Sequence, residues 1–111
     1  MTTIPLDYDN RSLGFVAIDA AQLMRAAEPG DSLEIRESSP DHYHILYQTA
    51  RELAFKESMS IALTTNCSKD YLIRVGKVGY FCIRTSKKSD GTPEPKVIIR
   101  MTREGKENLK P

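Results

Sequence analysis

Apolar residues recur along this chain in short sets, and their spacing divides it into strand and helix segments. Leu13-Gly-Phe-Val-Ala-Ile18 is apolar and partly β-branched, the pattern of a buried strand, with Asp19 at its end. Ala20, Leu23, Met24 and Ala27 then fall on one helical face. This predicts a helix from Ala20 to Glu28, capped by the Asp19 carboxylate and closed by Pro29-Gly30. Ser32-Leu-Glu-Ile-Arg-Glu37 alternates polar and apolar residues and predicts a second strand, with Leu33 and Ile35 turned to a core.

Ser38-Ser-Pro-Asp-His carries helix-start signals: a serine cap, a proline for the first turn and an acid near the positive end of the helix dipole. Tyr43, Leu46, Tyr47, Ala50, Leu53 and Ala54 continue from it at helical spacing, predicting a second helix of about three turns. Met59, Ile61 and Leu63 alternate as a third strand, and Tyr71-Leu-Ile-Arg-Val75 reads as a fourth. Gly76 and Gly79 mark a bend or bulge before a fifth strand at Tyr80 to Thr85. Lys87 to Pro95 has loop composition, and Lys96 to Met101 is the last strand.

These elements predict an α+β fold, a two-layer sandwich in which βαβα is followed by three or four strands and two helices pack on one face of a mixed sheet. The expected domain covers residues 13 to 101, after an N-terminal extension of residues 1 to 12 and before a charged, frayed tail of residues 102 to 111. A length of 111 residues with 40% hydrophobic content suits one small domain that needs no metal or disulfide as a staple. No apolar run has the length of a bilayer crossing, and the first residues lack the basic start and apolar centre of a secretory signal, so a cytoplasmic protein is expected. Cys67 and Cys82 are read as free thiols, Cys82 within an apolar run.

The net charge of +1 conceals an asymmetry. Residues 1 to 65 carry five basic and ten acidic groups, and residues 66 to 111 carry eleven basic and five acidic. Either the second half gathers into an electropositive surface or folding interleaves the halves and averages them. If the first holds, Arg74, Lys77, Arg84, Lys87, Lys88, Lys96, Arg100 and Arg103 are the candidate phosphate contacts, with a basic C-terminal hairpin around Lys87-Lys88 as their centre. Tyr80 and Phe81 are candidates for base stacking; on a strand they point to opposite faces, so one belongs to the core.

The predicted order of elements resembles that of the Alba chromatin proteins and the C-terminal domain of bacterial translation initiation factor three. That resemblance implies a terminal hairpin reaching along nucleic acid, with Arg84, Lys87, Lys88 and Lys96 as its counterparts. The passage Pro29-Gly-Asp-Ser-Leu-Glu-Ile35 resembles the sulfur carriers of transfer-RNA thiolation, but this chain has Ile18-Asp19-Ala20 where they carry a reactive Cys-Pro pair. In style the chain is also similar to small proteins of bacterial viruses.

Other chemistry finds little support. Asp90, Glu94 and Lys96 compress the carboxylates and lysine of a metal-dependent nuclease into one Pro-Gly loop, which cannot hold a cation rigidly. His42 and His44, two apart at a helix start, would diverge rather than chelate, and their spacing to Cys67 and Cys82 is not that of a zinc finger. No serine or cysteine stands in a nucleophile setting, and Gly76-Lys-Val-Gly79 is too short for a phosphate loop. The expectation is therefore a non-enzymatic domain with no metal and no cofactor that binds nucleic acid through the basic hairpin. The alternative is a protein-protein interaction module, such as a small phage-encoded inhibitor of a host complex, with an exposed edge strand that would allow a homodimer.

Overall fold

The computed structural model describes residues 1 to 81 and 94 to 108. Its elements run β1 (Thr2–Asp9), α1 (Leu13–Arg25), β2 (Ser32–Ser39), β3 (His42–Thr49), α2 (Phe55–Leu63), α3 (Lys69–Val78), β4 (Lys96–Thr102) and β5 (Gly105–Asn108). The strands form one sheet in the order β1-β3-β2-β4-β5, and each neighbouring pair is antiparallel. The α+β class and two-layer plan are as expected. The sheet is not mixed, however, and the element order is not βαβα.

Residues 1 to 12 are no extension. Ile4, Leu6 and Tyr8 alternate along β1 and are fully buried, paired in register with Tyr47, Ile45 and Tyr43. Pro5 is tolerated in this strand because β1 is an edge. The Pro5 carbonyl accepts from the Tyr71 hydroxyl at 2.8 Å, and the Asp7 carbonyl accepts from the Ser68 N–H at 2.7 Å, so α3 and its cap close that edge.

Leu13 to Ile18, expected as a strand, opens α1. Ser12 accepts from the Phe15 N–H at 3.2 Å and caps the helix, while Val16, Ala20, Leu23 and Met24 form the buried i, i+4, i+7, i+8 stripe. Asp19 is therefore inside the helix and not its cap. The expected helix from Ser38 through Ala54 is replaced by a hairpin turn, in which Asp41 takes φ 62°, and by β3, the strand between β1 and β2. Met59 to Thr64 and Tyr71 to Val75, expected as strands, lie largely or wholly in α2 and α3, which bury Ser58 and Ala62, and Tyr71, Leu72 and Val75, respectively. Gly79 is the left-handed cap of α3, with φ 82° and its N–H bonded to the Val75 carbonyl at 2.8 Å. The strands expected at Ser32 and Lys96 are present as β2 and β4. Gly105 to Asn108 of the expected tail pairs with β4 as β5.

Register partners share a face of the sheet. One face presents Ile4, Leu6 and Tyr8, then Tyr43, Ile45 and Tyr47, then Leu33 and Ile35, then Ile99 and Met101. On it α1 crosses β2, β3 and β4, and α2 packs against β1 and α3. The opposite face carries Asp7, His44 and Arg36 in one row, and Leu46, Glu34 and Arg100 in the next.

Candidate functional site

A cleft lies between α1 and α2 on the helical layer. The two helices flank it in antiparallel fashion and are tied at both ends. At one end Asp19 accepts from the Asn66 N–H at 2.7 Å and from Asn66 Nδ2 at 2.9 Å. At the other, Arg51 lies 3.3 Å from Glu28, just beyond α1, and 3.6 Å from Glu57 in the first turn of α2. Between the ties the facing residues Ala26 and Ser60 are small, and a cavity of about 510 Å³ opens. Leu23, Ala26 and Ile61 line its sides with Gln22, and Tyr47 of β3 lies beneath.

Nearly every polar group around this cleft is already engaged. The Tyr8 hydroxyl joins the two Asn66 donors on Asp19, at 2.8 Å, and the Tyr47 hydroxyl donates to Asp31 Oδ2 at 2.7 Å. The Ser60, Thr64 and Thr65 hydroxyls donate to the carbonyls of Lys56, Ile61 and Ala62. Burial pushes the Tyr47 hydroxyl above the ordinary tyrosine range, and the Asp31 carboxylate beside it adds to the effect. Burial alone would raise the Asp31 carboxyl, but hydrogen bonds from the Ala50 N–H, the Tyr47 hydroxyl and the Glu28 N–H outweigh it and hold the group low. Such a cleft offers shape and apolar area, with no unengaged acid or base in its wall. Past this lining, Ile18 lies one turn before Gln22 on α1, and Leu63 lies one turn after Ser60 on α2, where it borders the neighbouring concavity lined by Phe15 and Asn66; the two are exposed by 62% and 65%.

The candidate phosphate contacts do not gather on one surface among the described residues. Arg74 and Lys77 belong to α3, which is tied to the outer edge of β1, whereas Lys96 and Arg100 lie on β4 and Arg103 in the turn after it. β1 and β4 are three strand spacings apart, about 14 Å. Acids stand among the second group: Arg100 lies 3.8 Å from Glu34 and opposite Glu107, and Lys96 lies opposite Glu37. Packing β4 against β2 thus interleaves the basic half of the chain with the acidic half. Arg84, Lys87, Lys88, Asp90 and Cys82 lie outside the described residues.

Tyr80 is exposed, and the Phe81 ring meets Phe55 with centroids 5.7 Å apart. Both follow the Gly79 cap and belong to no strand. His42 and His44 do not sit at a helix start and do not diverge. They share the second face of β3, with His42 Nδ1 3.1 Å from Asp9 and His44 Nε2 3.4 Å from Asp7. His44 is buried, and its Nδ1 has no hydrogen-bond partner among the described residues. No cluster of three metal-ligating side chains occurs among the described residues. Cys67 is buried and free, its thiol pushed up chiefly by burial.

Sequence reasoning missed Asp19, Gln22 and Tyr47 as neighbours of one cleft, because it placed Asp19 at a strand end as a cap and Tyr47 in a helix. No helix of the described residues is long and apolar enough to cross a membrane. No protein-family model, curated protein or solved structure matches the chain.

Proposed function

We propose that this protein is a non-catalytic interaction module whose α1–α2 cleft receives the apolar face of a helix from a partner protein. The observation that carries this reading is the engaged polar wall of the cleft together with two large exposed apolar side chains one helical turn outside its lining, Ile18 before Gln22 on α1 and Leu63 after Ser60 on α2, which extend it as an apolar rim. A small molecule held inside the cavity would leave that rim wet. A partner helix covers rim and cavity together, inserting one or two anchors while its flanks meet Ile18 and Leu63. From Ile18 to Ala26 the α1 wall runs about 12 Å, a little over two helical turns, which matches an i, i+4, i+7 set of anchors. Polyanion binding by the C-terminal half has less to draw on, since the described cations divide between two edges of the sheet.

Site-specific photocrosslinking tests the reading. A benzophenone side chain at Gln22 should form an adduct with a defined protein in cells, and one at Thr3 on the other face of the sheet should not. Ile18→Lys with Leu63→Lys should abolish the Gln22 adduct while leaving the melting temperature within a few degrees, because both positions are exposed. Equal crosslinking from Gln22 and Thr3, or an adduct that survives both lysines, would overturn it.

A further inference from the structure

A second concavity lies on the opposite flank of α1, where the helix meets the β4–β5 hairpin. Ala17 and Ala21, one turn apart, leave space beside the sheet, and α1 packs on β2, β3 and β4. The resulting pocket of about 430 Å³ draws cations from three elements: Arg25 from the last turn of α1, Arg103 from the hairpin turn and Lys106 from β5. Lys106 pairs in register with Met101, so its side chain stands on the α1 side of the sheet. One carboxylate, Glu104, stands among them. None of these four groups forms an ion pair with a described residue, and all four are exposed. Met24 and Met101, exposed by only 8% and 7%, also line the pocket.

We propose that this corner binds a nucleotide, either free or as a unit of a nucleic acid strand, with its phosphate between Arg103, Arg25 and Lys106 and its base against Met24 and Met101. Three cations against one carboxylate favour an anion. Two guanidiniums favour phosphate in particular, because their forked donors match its oxygens in a way a lysine cannot. The thioethers supply the second half of the recognition, since polarizable sulfur makes favourable contacts with aromatic rings. The site is separate from the α1–α2 cleft and does not depend on what that cleft holds. Arg25 comes from the acidic half of the chain, so the cluster could not be read from the charge asymmetry along the sequence.

Titration calorimetry with AMP, pyrophosphate and a thymidine oligonucleotide at two salt concentrations tests the assignment on the whole chain. AMP and the oligonucleotide should both bind, with affinity falling as salt rises. Arg103→Glu with Lys106→Glu should weaken them about tenfold or more, while Lys77→Glu on the far edge leaves them unchanged. Ala21→Trp fills the apolar part of the pocket and keeps all three cations, so it should remove AMP binding and spare pyrophosphate. Competition between AMP and the oligonucleotide supports a site open to both sources, and oligonucleotide binding alone supports a nucleic acid ligand. No binding of either at low salt overturns the proposal, as does an equal loss from Lys77→Glu, which would mean diffuse attraction. Circular dichroism melting of each variant separates loss of binding from loss of fold.

Discussion

The Tyr8 hydroxyl donates to Asp19 Oδ2 at 2.8 Å, joining the end of β1 to the middle of α1 inside the core. Asp19 also holds the chain after α2 through two bonds from Asn66, so one buried carboxylate fixes three segments. Asp19→Ala leaves a tyrosine hydroxyl and a backbone N–H without their acceptor and should cost about 2–4 kcal/mol, against about 1–2 kcal/mol for Tyr8→Phe. A double-mutant cycle by urea denaturation checks the pair. Strict additivity would mean that the contact contributes nothing.

The second tyrosine–carboxylate pair sets the limits of stability against pH. Asp31 is depressed in the folded state, so its contribution is full above the ordinary carboxyl value of about 4 and is lost as pH falls through the folded value. Tyr47 and Tyr8 are raised, first by burial and then by Asp31 and Asp19, so their contributions are full below the ordinary tyrosine value of about 10 and fade above it. Asp31→Ala should flatten the acid limb of a stability–pH curve, and Tyr47→Phe the alkaline limb. Tyrosinate absorbance offers a direct check, because these two hydroxyls should ionise only as the protein unfolds.

Two glycines with positive φ separate backbone strain from crowding. Gly30 takes φ 90°, and a Cβ there would stand 3.0 Å from the Ala50 Cβ; Gly79 takes φ 82° with nothing within 4 Å. Gly79→Ala should cost about 1 kcal/mol for the left-handed backbone, and Gly30→Ala distinctly more. Thermal melts of the two variants, run side by side, test the ranking.

A homodimer through the free edge of the described sheet would place like charges together. A two-fold axis normal to the sheet pairs residues of equal parity across two copies of β5, and in the two registers that overlap most of the strand Lys106 meets its own counterpart in one and Glu107 does in the other. Light scattering should accordingly find a monomer at micromolar concentration. Glu107→Thr, which removes one of these clashes, should be the variant with the greater tendency to associate.

The sequence pattern made β2 legible because it buries one face in simple alternation, Leu33 and Ile35, and β4 because Val97-Ile-Ile is a short β-branched run, with Ile98 and Ile99 both buried at the irregularity opposite Ile35 and Arg36. It hid β3, where His44 and Leu46 are also partly or wholly covered, so that Tyr43, Leu46, Tyr47 and Ala50 imitate a helical stripe. It hid β1 because Pro5 reads as a break until α3 is known to cap that edge. In α2, Met59, Ile61 and Leu63 imitate a strand, although the buried pair is Ser58 and Ala62, two small residues without a hydrophobic signal. The cleft was illegible for the same reason: Ala26 and Ser60 make it by being small, which spacing does not reveal.

The strand order has a consequence for the nascent chain. β2 and β3 are joined by a short hairpin and can pair as soon as both leave the ribosome, but β4, the other neighbour of β2, is made more than fifty residues later. At roughly 5–20 residues per second that delay is on the order of seconds. During it one flank of the emerging hairpin stands unpaired, so translation speed through the second half governs how long the chain is vulnerable to aggregation.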